Sequence, residues 1–117
     1  MSRDFRLYLF DIMEAAEKIS EYKSGHSEES FALDYKTVDA VARNLEIIGE
    51  AVKNVPSEIL NNEPDIDWKN TARLRDVIAH YYFKLDLDAI WEIITLELHQ
   101  IEMAARRLYD SLPDPEA

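Results

Sequence analysis

Apolar residues recur along the chain every three or four positions, with no sustained alternation. Phe5, Leu9, Ile12, Ala16 and Ile19 form one series, and Val38, Val41, Leu45, Ile48, Val52 and Val55 a second. Leu87, Trp91, Ile94, Leu98, Ile101, Ala105 and Leu108 form a third. Steps of three and four place each series on one stripe of an α-helix, the last of them about six turns long. The interruptions are equally legible. Ser24, Gly25, His26 and Ser27 break the first series, and Ser27 and Ser30 are placed to cap the next helix. Pro56 and Ser57 end the second helix, and Asn61, Asn62, Glu63 and Pro64 read as a loop. A shorter helix is expected from near Trp68 to about Tyr82. Asp86 or Asp88 caps the last helix, and Pro113 and Pro115 predict a frayed tail over 113–117. The heptad-like spacing also suits a coiled coil, but helices interrupted this often fit a bundle better. The expected fold is all-α, an up-and-down four-helix bundle with a short extra helix, in one domain over 1–117.

Gly49 falls inside the second helix, where glycine costs roughly 1 kcal/mol relative to alanine. It is either a tolerated defect or the mark of a closely approaching helix, from within the chain or across a dimer.

Composition adds the boundaries. A chain of 117 residues with 47% hydrophobic content suits one core. Its 13 Lys and Arg against 24 Asp and Glu give a net charge of −11. Such acidity argues against a protein that coats DNA or binds a membrane surface, because both need basic surface. The chain has no cysteine, hence no disulfide, zinc knuckle or thiol nucleophile. Its first residues are charged every few positions, and no apolar run approaches a membrane span. A cytoplasmic location is expected.

Conventional catalytic motifs are missing: no glycine-rich phosphate loop, HExxH or GxSxG. His26, His80 and His99 lie far apart without ligand-type partners, so no metal site is expected. One segment stands out, Arg73 to Lys84, which gathers guanidinium, carboxylate, imidazole and phenol groups. Asp76 and His80 fall one turn apart on one helix face, so the carboxylate is placed to orient the imidazole. Arg75 and Tyr82 share another face, whereas Arg75 and His80 are about 140° apart on a straight helix. Charge singles out the same place. Residues 1–24 carry 4 basic and 5 acidic groups, 25–68 carry 3 and 10, and 85–117 carry 2 and 8. Residues 69–84 carry Lys69, Arg73, Arg75 and Lys84 against Asp76 alone, and this is the one positive window. Read from the residues alone, it is an anion site of unspecified use, and Tyr82 reads more simply as an aromatic packed at a helix end.

At these residues the chain resembles a known family. Arg75-x4-His80-x-Tyr82 resembles the Arg-x4-His-x-Tyr signature of the HEPN superfamily, in particular its HepT-like toxins. Arg43 to Ala51 resembles that family's second-helix segment ending in Gly-Glu-Ala. Pro64-x-Ile66-x-Trp68 is similar to its lead-in to the motif helix, and Asp88-x2-Trp91 to the opening of its last helix. The likeness covers roughly residues 5 to 108. It implies a homodimeric ribonuclease acting on RNA without metal or cofactor, as the toxin of a type VII toxin–antitoxin pair. The implied partner is a minimal (MNT-type) nucleotidyltransferase antitoxin, which transfers AMP to the motif tyrosine, here Tyr82. The family's catalytic Arg and His correspond to Arg75 and His80, with Asp76 in support where relatives often carry Asn. A negative charge there weakens phosphate binding even as it raises the basicity of His80. Lys69, Arg73 and Lys84 are candidate RNA contacts, and Gly49 and Glu50 candidate dimer contacts.

The chemistry this implies is physically sound. RNA carries its own nucleophile, the 2′-hydroxyl, so cleavage needs a base, an acid and charge stabilisation. A histidine titrating near neutrality transfers protons, and an arginine fork stabilises the phosphorane. One histidine cannot be base and acid at once, so a two-fold dimer supplies the second copy. Two rival readings remain: a non-catalytic helical adaptor that a nucleotidyltransferase binds and modifies, and a generic bundle holding a small nucleotide. Under the leading reading, a small positive cleft in a negative shell meets exposed single-stranded RNA at few phosphates. The shell itself suits a basic face on the antitoxin.

Overall fold

The computed structural model describes residues 4–79 and 86–113. Among them there is no strand, and four long helical segments carry the architecture. Helix α1 (Phe5–Lys23) begins where the Asp4 side chain accepts a hydrogen bond from the Arg6 backbone N–H. It buries Leu9, Ile12, Met13, Ala15, Ala16 and Ile19. Gly25, at φ +82°, turns the chain in the left-handed region that glycine enters freely. Helix α2 (Glu28–Leu33) is a short element opened by a reciprocal cap between Ser27 and Ser30. Its one buried residue, Phe31, stacks at 5.3 Å from the Trp91 ring.

Helix α3 (Tyr35–Lys53) is the central element, packed on both α1 and α5. Asp34 caps it, accepting from the Thr37 N–H and hydroxyl. Those bonds, helped by the nearby His26 and opposed by burial, hold the Asp34 carboxyl below its ordinary range. Val38, Val41, Leu45, Ile48 and Val52 are buried as their spacing predicts. Val55 is also buried but lies beyond the helix end. Helix α4 (Ser57–Leu60), a single turn, follows Pro56. Two short helices, α2 and α4, therefore stand where one was expected. The α4–α5 connection is pinned at Glu63, whose carbonyl accepts from Trp68 Nε1 at 3.1 Å. The Glu63 carboxylate accepts from Arg107 at 2.6 Å.

Helix α5 (Trp68–Ala79) lies against α3. The last long segment is α6 (Leu87–Glu92), a π-turn (Ile93–Glu97) and α7 (Leu98–Ser111), with α7 packed on α1. Asp86 is the cap, accepting from the Ala89 N–H at 3.0 Å. The wide turn changes which side chains go inside. Ile90, rather than Leu87 or Trp91, is buried ahead of Ile94 and Leu98. A regular helix through all seven expected positions would have done the reverse. Beyond the turn the expected positions Leu98, Ile101, Ala105 and Leu108 are buried. The expected tail starts with Pro113, whose carbonyl accepts from the Arg6 guanidinium. Residues 114–117 lie outside the described residues. No helix among the described residues is long and apolar enough to cross a membrane.

Candidate active site

Everything at the site depends on how closely α5 approaches α3. A Cβ on Gly49 would sit 2.5 Å from the Arg75 backbone nitrogen, 3.0 Å from Arg75 Cβ and 3.1 Å from the Ala72 carbonyl oxygen. The missing side chain is what lets α5 rest there. The close approach at Gly49 is thus made within the chain. Of the two origins expected for a close approach there, within the chain or across a dimer, the first is the one seen at Gly49.

Glu50 and Lys53, three residues apart on α3, flank that contact and meet two consecutive residues of α5. Arg75 Nε lies 3.2 Å from Glu50 Oε2. Arg75 Nη1 lies 3.4 Å from Asp76 Oδ1. Lys53 Nζ donates to both Asp76 oxygens at 2.9 Å. The result is a chain of alternating charge, Glu50–Arg75–Asp76–Lys53, bridging the two helices. The Lys53 hydrogen bond is the main reason the Asp76 carboxyl is held below its usual range. Burial opposes it, and the Lys53 charge and Arg75 add to it. Glu50, a candidate dimer contact, pairs with Arg75 while its side chain stays half exposed.

Arg75 also lines a cleft of about 310 Å³ with Tyr8 and Asp11 from α1 and Arg43, Glu46 and Glu50 from α3. Within it Arg43 and Glu46 form a longer ion pair at 3.8 Å. The Arg75 side chain is 43% exposed. Its guanidinium is thus oriented by carboxylates while remaining accessible, the condition for a planar donor fork to receive an anion. Lys69 and Arg73, one turn apart on α5, are exposed and form no ion pair among the described residues. Lys69 and Lys53 line a second, larger groove between the end of α3, α4 and the start of α5. His80, Tyr82 and Lys84 lie outside the described residues, and so does the expected contact between Asp76 and His80.

The structure thus brings Arg75 and Asp76 together and leaves Lys69 and Arg73 as exposed neighbours along the helix. It adds Lys53, which sequence reasoning overlooked, and pairs Glu50 with Arg75. The available signal was Gly49, since polar residues beside a tight helix crossing are the ones able to reach across it. Among the described residues no three acidic or histidine side chains group as around a metal ion.

The model of the family described as Ribonuclease HepT-like matches residues 12–108, which include both helices of this contact. The chain belongs to the HepT-like family of ribonucleases. Its expected membership and enzyme class, a ribonuclease of the HEPN superfamily, agree with that match. A relative from Methanocaldococcus jannaschii, named as an RNase by inference, is 42% identical over 79% of this chain and 76% of its own. "Probable ribonuclease HepT" of Thermococcus cleftensis is 40% identical over 87% of this chain and 93% of its own. A longer M. jannaschii protein, named as a gamma-glutamylcyclotransferase and an inferred RNase, is 35% identical over 96% of this chain. The chain spans 50% of that protein's length. No solved structure matches at the same stringency.

Proposed function

We propose that this HepT-like chain is the toxin of a type VII toxin–antitoxin pair, a metal-independent endoribonuclease that works as a homodimer. Arg75 and His80 carry the reaction. His80 takes the proton from the 2′-hydroxyl, whose oxygen attacks the adjacent phosphorus. The bond to the 5′-oxygen breaks, leaving a 2′,3′-cyclic phosphate, and the departing oxygen takes a proton from the second copy of His80. Arg75 stabilises the charge that develops on the phosphorane oxygens. The observation that supports this most directly is the oriented, accessible Arg75 guanidinium, paired with Glu50 at 3.2 Å beside the glycine contact. The chain belongs to a family of ribonucleases, and the resemblance of Arg75-x4-His80-x-Tyr82 to that family's signature makes Arg75 the motif arginine.

Tyr82 is the site of control. A minimal nucleotidyltransferase attaches AMP to its hydroxyl, which adds bulk and a negative phosphate two residues from His80 and so repels RNA. Lys69, Arg73 and Lys84 contact the RNA backbone, and residues 1–117 act as one domain.

The test is incubation of purified, unmodified protein with RNA in EDTA, beside His80→Ala and Arg75→Ala. Cleavage by the native chain alone, with helical circular dichroism unchanged in both variants, is the expected result. Full activity in either variant removes that residue from the reaction. Inactivity of the native chain, together with an AMP adduct on Tyr82 when the partner enzyme is supplied, selects the adaptor reading instead.

A further inference from the structure

A carboxylate next to a phosphate-binding arginine is a liability. Asp76 follows Arg75 directly, with Oδ1 3.4 Å from Arg75 Nη1. Left alone, it would offset part of the guanidinium charge and repel an approaching phosphodiester. It is not left alone, because Lys53 reaches across from the last turn of α3 and donates to both of its oxygens at 2.9 Å. The Lys53 side chain is 35% exposed and that of Asp76 46%. An ion pair that open contributes little to stability, so holding the helices together is a weak reason for it. Its effect on the field around Arg75 is a stronger one. An uncompensated unit charge several ångströms from a bound phosphate changes affinity by roughly five- to tenfold at the intermediate polarity of such a surface.

We propose that Lys53 is a positioning residue of the ribonuclease site, one that neutralises Asp76 and so leaves Arg75 its charge for the scissile phosphate. The inference rests on the reading of Arg75 as the phosphate-binding residue. It explains why an acid is tolerated beside that arginine. Glu50 orients Arg75 through Nε, while Lys53 removes the competing charge at Nη1, so one turn of α3 serves the guanidinium from two sides.

A double-mutant cycle on the full, unmodified chain tests it, with an oligoribonucleotide substrate and initial rates for native, K53Q, D76N and K53Q/D76N protein. K53Q is expected to lower kcat/KM by roughly five- to tenfold, mainly through KM, with the loss shrinking as salt rises. On the D76N background the same substitution is expected to cost less than about twofold, since no charge remains to be balanced. A purely mechanical bridge behaves otherwise: the double variant lacks both partners and is no better than K53Q. That outcome, or a K53Q protein as active as the native one, overturns the proposal. Urea midpoints for each variant show that the fold survives. R75A is the separate check. Full activity of R75A overturns the Arg75 assignment itself, whereas inactive R75A with equal effects of K53Q on both backgrounds overturns only the role of Lys53.

Discussion

A methyl group at position 49 would lie 2.5 Å from the Arg75 backbone nitrogen, well inside contact distance and against main chain that cannot rotate away. Helix propensity alone favours Gly49→Ala by roughly 1 kcal/mol. Overpacking against a fixed backbone costs about 1–3 kcal/mol and pushes α5 outward. We therefore expect Gly49→Ala to lower stability by about 1 kcal/mol in urea unfolding, against its propensity, and to reduce RNA cleavage because Arg75 moves away from Glu50. An alanine variant more stable than the native chain would mean that α5 yields at no cost. Gly49 was visible in the sequence as an anomaly, a glycine within a strong helical stripe. What it could not reveal was which helix comes close, since a missing side chain carries no direction. The partners of Glu50 and Lys53 were hidden for a related reason: they are 25 and 23 positions away, and only the crossing of α3 and α5 brings them into range.

Three carboxylates meet a partner at a cap or on another element, and all three are held below their ordinary range. Asp34 caps α3, Asp76 ties α5 to α3 through Lys53, and Glu63 ties the α4–α5 connection to α7 through Arg107. A carboxylate whose pKa is depressed by folding stabilises the fold above its unfolded value. That contribution disappears as pH falls through the lower, folded value. The unfolded values here are 3.8 for the aspartates and 4.5 for Glu63. Thermal midpoints followed by circular dichroism should accordingly be insensitive to these three groups from neutrality down to about pH 5 and drop below about pH 4.5. Glu63→Gln should flatten part of that drop. Two helix starts were readable because caps are local chemistry: Ser27 and Asp86 act within three residues of themselves. Helix α4 was not, since one turn after a proline leaves no periodicity to detect.

Across the whole molecule, the distribution of charge along the chain located the basic segment but not the partners its charges find in the fold. The window 69–84 counts Arg75 and Asp76 without the partners they meet from α3. In the folded chain Glu50 comes to Arg75 from a strongly acidic stretch, and Lys53 comes to Asp76 from the same stretch. A window along the chain does not register neighbours delivered by another helix. The fold class itself was plain, because three long stripes with capped ends leave little else for 117 residues to form. The one place where a stripe misled was the π-turn, and its consequence concerns insertion and deletion. Thr95, Leu96 and Glu97 are exposed in succession, and Ile90 ahead of the turn is buried in place of the stripe position Trp91, a shift of one residue. Such a turn is an α-helix carrying one residue too many, and removing that residue returns Ile90, Ile94 and Leu98 to ordinary helical spacing on the same face. Deletion of Leu96, which is 64% exposed, should therefore leave a folded protein with its urea midpoint nearly unchanged. The same deletion made in α3 at Glu46 would turn half of that helix's buried face outward and unfold the chain. At this one point, the length of the chain is free to differ by a residue.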